Sequence, residues 1–181
     1  FDQERKYVIS FNGEIYNYLE IKENLIKKGI KFKTQSDTEI FLIGFKLYGS
    51  KILDYLDGMF AVAIYDLEKE KLFIARDRAG EKPLYYISNN IFFSFCSELK
   101  PLLNFNKNTK QEIDSESVFS YLALRYVPYD KTIVKQIKKL EPGCFLEICN
   151  NNNFKITRYF AYNINPEEYL VQKKFLQSEE M

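Results

Sequence analysis

Tyr7-Val8-Ile9-Ser10-Phe11 alternates with the period of a half-buried strand, placing Tyr7, Ile9 and Phe11 on one face. Asn12-Gly13 breaks the alternation and predicts the strand's end. Ile15, Leu19, Lys22-Glu23, Ile26 and Gly29 follow at helical spacing, with Gly29 placed to close the helix in the left-handed conformation. Ile30-Lys31-Phe32-Lys33-Thr34 alternates again and predicts a short strand. Ser36-Asp37-Thr38-Glu39 then has the spacing of a capping box and opens a second helix through Tyr48. Ile40, Phe41, Ile43, Phe45 and Leu47-Tyr48 make that helix apolar on more than one side, which predicts that it is sandwiched between layers.

Further along, Ile52-Leu53-Leu56 predicts a brief helical turn, Met59 to Tyr65 a central strand, and Leu72 to Ala75 its antiparallel return. A charged loop from Arg76 to Pro83 precedes Leu84-Tyr85-Tyr86-Ile87, and Asn89-Asn90 makes a hairpin into Ile91 to Phe95. Arg76-Asp77-Arg78 in that loop predicts an ion-paired brace. Ser97-Glu98 predicts a helix start, with Leu99, Leu102 and Leu103 on one face, and Asn104 to Thr109 an exposed loop. Asp114-Ser115-Glu116 caps a helix that Val127-Pro128 ends. Thr132 to Val134, Leu140 to Ile148 and Ile156 to Phe160 are the expected last strands, and Asn165 to Met181 a charged helical tail. Many short antiparallel strands with helices before and between them imply α+β rather than a parallel βαβ fold.

The chain has 181 residues, 46% of them hydrophobic, enough for one sizeable core and too few for two comfortable domains. A formal charge of +1 gives no reason to expect nucleic acid or an anionic membrane as a partner. No apolar run approaches the ~20 residues of a membrane span, and the charged start is unlike a signal peptide. Cys96, Cys144 and Cys149 form neither a disulfide framework nor a zinc spacing; they are expected to be reduced thiols in a cytoplasmic protein, with no metal site.

Histidine is absent, so neither a Ser-His-Asp nor a Cys-His apparatus can be assembled from these residues. Acyl-transfer chemistry would need another base, such as the free α-amino group of an N-terminal nucleophile.

Asn12-Gly13-Glu14 has two readings. In one, Asn-Gly is turn chemistry and Glu14 complements the first helical turn. In the other, the Asn carboxamide and the Gly N–H are paired donors for a developing oxyanion, with no Cβ to keep substrate from the main chain. Spacing alone favours the first.

Resemblance favours the second. Phe11-Asn12-Gly13-Glu14-Ile15-Tyr16-Asn17-Tyr18, Ser36-Asp37-Thr38-Glu39, Leu56-Asp57-Gly58-Met59-Phe60-Ala61, Ala75-Arg76-Asp77-Arg78-Ala79-Gly80-Glu81-Lys82-Pro83-Leu84-Tyr85-Tyr86 and Ser97-Glu98-Leu99-Lys100 resemble the glutamine-hydrolysing asparagine synthetases. The likeness is to their N-terminal glutamine amidotransferase domain (type 2, N-terminal-nucleophile hydrolase), and runs in the family's order from about Tyr7 to about Tyr159.

The resemblance implies a four-layer αββα sandwich of two antiparallel sheets and hydrolysis of glutamine to glutamate and ammonia. The ammonia would pass to an ATP-using domain that converts aspartate to asparagine. Asn12 and Gly13 match the family's oxyanion-hole positions, and Glu14 and Asp37 its acceptors for the α-amino group of glutamine. The Arg76–Pro83 loop matches one that shapes the pocket and the side facing the partner domain. No cofactor is implied in this domain; ATP and magnesium belong to the synthetase domain, whose Ser-Gly-Gly-type loop does not occur here. The expected partners are glutamine and a C-terminal synthetase domain or chain, and a homodimer is compatible with them.

The chain departs from the family at its start, where the family has a cysteine nucleophile and this sequence has Phe1. The expectation is a partial domain over residues 1–160, truncated at the N-terminus, with one sheet edge unpaired, and a tail or linker over 161–181. Alternatives are a non-catalytic glutamine-binding or synthetase-docking module, or the amidotransferase domain of a different biosynthetic enzyme.

Overall fold

A computed structural model describes residues 1–2, 4–89, 91–105, 111–149 and 153–162. In chain order the elements are β1 (Tyr7–Ile15), α1 (Tyr18–Lys27), α2 (Asp37–Tyr48), a 3-10 helix (Gly49–Tyr55), β2 (Gly58–Asp66), β3 (Lys71–Arg76), β4 (Tyr85–Ser88), β5 (Phe93–Cys96), α3 (Leu99–Phe105), α4 (Ser115–Leu124), β6 (Lys138–Lys139), β7 (Cys144–Ile148) and β8 (Phe154–Arg158). A five-stranded sheet in the order β1-β2-β3-β7-β8 and a three-stranded sheet in the order β5-β4-β6 are antiparallel throughout.

Alternation along the strands sorts side chains into three cores. Phe11, Phe60, Val62, Ile64, Phe73 and Phe145 face α1, α2 and the 3-10 helix, meeting Leu25, Ile40, Phe41 and Leu53. Ala61, Ala63, Ile74, Cys144 and Leu146 face the other way, onto Leu84, Tyr86, Phe93 and Phe95 of the smaller sheet. The outer face of that sheet, with Tyr85, Ile87 and Cys96, packs on Leu99, Leu102 and Leu103 of α3. The result is the expected αββα order of layers.

Several local expectations need correction. β1 does not stop at Asn12-Gly13 but continues to Ile15, paired along its whole length with β2. The handover to helix therefore shifts to Tyr18, and α1 buries Ile21 and Leu25 while Leu19 and Ile26 are exposed. α2 lies in the outer layer rather than between layers; its apolar flanks are covered sideways, by α1 and the 3-10 helix. Residues 30–34 form no strand. The N–H groups of Lys33 and Thr34 instead donate to the Glu39 carboxylate at 2.9 and 2.7 Å, a local alternative to a ladder.

The capping box is accordingly displaced. Ser36 Oγ accepts from Thr38 N–H at 3.2 Å, but Glu39 reaches past Ser36 to residues 33 and 34. Residues 132–134 contribute a single bridge, Ile113 to Val134, and β7 begins only after Pro142-Gly143. Asn104 and Phe105 belong to α3, whereas the rest of the expected loop, and the tail from residue 163, lie outside the described residues. α4 ends at Leu124, with Arg125 left-handed at φ 65°, before Val127-Pro128 is reached.

Burial opposes charge on Glu39, but the Thr34 hydroxyl and the two N–H groups outweigh it and hold its pKa below the ordinary value. A carboxylate depressed in the folded state stabilises fully above its unfolded pKa of about 4.3, and loses that contribution as pH falls through the folded value. Glu39→Gln should lower stability by about 1 kcal/mol at neutral pH. In urea titrations at several pH values, the gap from the parent should close progressively below pH ~4.3.

Candidate active site

The ladder between β1 and β2 decides what β1 offers at its other edge. Lys6 accepts from Leu67 N–H at one end, and Tyr16 donates to Asp57 at the other, so even-numbered residues of β1 point their main-chain groups at β2. Odd-numbered residues point outward. Tyr7 N–H goes to Asp2 Oδ1 at 3.0 Å, and Ile15 N–H goes to Asp37 Oδ2 at 3.1 Å. Gly13 has the same parity, so its N–H faces the outer edge, which no strand pairs among the described residues.

Gly13 is also a point where the two strands leave no room for a side chain. Its φ is +155°, and a Cβ there would lie 2.1 Å from the Met59 carbonyl oxygen and 2.6 Å from Phe60 Cα. Gly58, opposite Ile15, has the matching constraint, since a Cβ would meet the Glu14 carbonyl oxygen at 2.3 Å. Asn12 and Glu14 project from the face of β1 opposite to Phe11 and Ile15, and both are exposed. Asn12 Nδ2 donates to Ser97 Oγ at 3.1 Å, while the Glu14 carboxylate has no hydrogen-bond partner among the described residues.

Asp37, the first residue of α2, takes Thr38 N–H on Oδ1 at 2.7 Å as well as Ile15 N–H on Oδ2. It therefore caps its own helix and pins α2 to the end of β1. Thus Asn12, Gly13 and Glu14 are consecutive on one strand and Asp37 is tied to the next residue. Desolvation first, and then the charges of Glu81, Glu14, Asp57 and Asp77, raise the pKa of the Tyr16 hydroxyl above its ordinary value. The strand-to-helix corner is negative on the side that Tyr16 occupies.

Two braces hold this corner, that of Asn17 unforeseen and that of the Arg76-Asp77-Arg78 run expected to be ion-paired. Asn17 clasps the main chain on both sides of Leu56, accepting from Asp57 N–H and donating to the Tyr55 carbonyl, each at 2.9 Å. Asp77, fully buried, accepts from the N–H groups of Phe60, Glu81 and Lys82. Arg76 donates to the carbonyls of Lys82, Leu140 and Gly80. The Arg-Asp-Arg brace is hydrogen-bonded to the main chain rather than ion-paired among the described residues, because the loop's irregular backbone leaves carbonyls and N–H groups that need partners. Ser97, expected only as a helix start, is the other residue missed; a lone serine ahead of a leucine stripe carries no signal of a contact 85 positions away.

No described thiol faces this edge. Cys96 packs with Leu102 under α3, and Cys144 is buried between the sheets, where desolvation raises its pKa. Cys149 follows Ile148, which the register aligns through Leu72 and Tyr65 with Val8, at the opposite end of β1 from Asn12. Among the described residues no cluster of potential ligands could hold a metal ion, and no helix is long and apolar enough to cross a membrane.

A family model described as a glutamine amidotransferase domain matches residues 1–160. The chain belongs to this family. As a glutamine amidotransferase domain it is 38% identical over 164 residues to asparagine synthetase [glutamine-hydrolyzing] 1 of Bacillus subtilis (strain 168), covering 91% of this chain and 26% of that protein. It is 36% identical over 170 residues to putative asparagine synthetase [glutamine-hydrolyzing] 2 of Methanocaldococcus jannaschii, covering 93% and 32%. The chain thus spans about a quarter to a third of the length of these relatives. Among solved structures, the glutamine phosphoribosylpyrophosphate amidotransferase of B. subtilis matches with a TM-score of 0.59 at 22% identity, over 91% of this chain and 31% of that one. That likeness concerns the fold alone, the layered α+β sandwich.

Gly13→Ala should force β1 from β2 at the Met59 carbonyl and destabilise the domain by about 3 kcal/mol, seen as a lower urea midpoint with little change in slope.

Proposed function

We propose that this domain hydrolyses the side-chain amide of glutamine to glutamate and ammonia, for use by an ATP-dependent asparagine synthetase of which it is part. The observation that carries the reading is the edge of β1, where a carboxamide, Asn12, adjoins a main-chain N–H, Gly13, that the ladder leaves unused. As an amide carbonyl is attacked its oxygen becomes negative, and two fixed donors at that point lower the barrier without reorganising. Asn12 and Gly13 would be those donors. Glu14, with its carboxylate uncommitted, and Asp37, whose Oδ1 takes Thr38 N–H and the Ser36 and Thr38 hydroxyls but whose Oδ2 accepts only from Ile15 N–H among the described residues, would hold the α-ammonium of glutamine. The nucleophile would be the N-terminal cysteine of the family arrangement, with its own amine as base.

The synthetase assignment rests on the relatives, 36–40% identical over 86–93% of this chain and named as glutamine-hydrolyzing asparagine synthetases. Their greater length leaves room for a C-terminal domain using ATP and magnesium. α4 offers such a domain a surface, since Phe119, Tyr121, Leu122 and Leu124 are all exposed. The other reading, a glutamine-binding module without hydrolysis, is favoured by one observation: Cys96 and Cys144 are packed into the cores and Cys149 follows a strand end aligned with Val8 rather than with Asn12.

Ammonia release from glutamine by the full-length protein separates the two. Asn12→Ala should lower that kcat by about 10²–10³-fold and leave asparagine formation from added ammonium salt intact. A full-length protein that binds glutamine and releases no ammonia would support the binding module, and an unchanged Asn12→Ala rate would remove Asn12 from the oxyanion role.

A further inference from the structure

The Asn12 nitrogen carries two N–H bonds in one plane, and an oxyanion uses only one of them. The other is engaged across the sandwich. Ser97 directly follows β5, an edge strand of the smaller sheet, and precedes α3, while Asn12 is on the edge strand of the larger sheet. Their 3.1 Å bond links the two sheets beside the free edge at Gly13. It also fixes something packing cannot. Asn12 is exposed, and the torsion that turns its carboxamide is broad, so without a partner the group would swing through orientations in which neither N–H points at a developing oxyanion. An amide oxygen turned toward a developing oxyanion would repel it.

We propose that Ser97 is a positioning residue for glutamine hydrolysis: its hydroxyl oxygen accepts one Asn12 Nδ2 hydrogen and so keeps the second directed at the oxyanion. The role rests on the oxyanion reading of Asn12. Ser97 itself touches no reacting atom.

The test is a double-mutant cycle on glutamine hydrolysis by the full-length protein. Ser97→Ala should lower kcat roughly 3- to 10-fold, the range of one intramolecular hydrogen bond, with KM for glutamine unchanged. Ser97→Thr, which keeps the hydroxyl, should recover most of the rate. In an Asn12→Ala background Ser97→Ala should cost nothing further, because the group it orients is gone. Equal losses in the two backgrounds, or equal losses for Ala and Thr, would overturn the positioning role while leaving Asn12 in place. Full activity of Asn12→Ala would overturn the oxyanion reading and this role with it.

Discussion

The unbroken pairing of β1 with β2 is the constraint on which the rest of the site depends. From Tyr7 to Ile15 the ladder contains no bulge, and this alone fixes which main-chain groups of β1 are spent and which are left. A slip of one residue would turn the Gly13 N–H into the sheet and Phe11 out of the core. The register is held by what packs and bonds on either side of it. Phe11 meets Phe41 with ring centroids 6.1 Å apart, and Phe41 meets Phe60 at 5.7 Å, so the helical layer grips both strands at the level of Gly13. Gly13 and Gly58 permit the close approach that this grip requires.

The corner beyond β1 is held by hydrogen bonds more than by apolar contact. Asp37 ties α2 to Ile15, Asn17 clasps residues 55 and 57, and Asp77 gathers three N–H groups, one of them from Phe60 opposite Gly13. Each is a short side chain satisfying main-chain groups that irregular backbone would otherwise leave orphaned. Rigidity at such a corner matters for chemistry, because oxyanion donors act by being already in place when charge develops. The exposed ends of Asn12 and Glu14 then stand on a frame anchored by buried Ile15, Phe60 and Asp77.

The layered fold was legible because its signals are local and periodic. Strands such as Met59 to Tyr65 and the Leu72 to Ala75 return declare themselves by composition, and alternation assigns their faces. The resemblance added the order of layers. What the sequence hid depends on contacts distant along the chain. Asn12-Gly13 has turn chemistry and yet lies within a strand, because β2 offers a complete partner as far as Gly58. Residues 30–34 alternate like a strand and yet bond to Glu39. Ser97 bonds to Asn12 only because two sheets stack, which no local pattern encodes.

The most direct measurement is a crystal structure of the full-length protein with a glutamine analogue whose side-chain amide is replaced by an aldehyde, which a nucleophile converts into a tetrahedral adduct. The account predicts the adduct oxygen at about 2.7–3.1 Å from both Asn12 Nδ2 and the Gly13 main-chain nitrogen. An adduct whose oxygen is held by other donors, with the Asn12 carboxamide turned to solvent, would contradict it.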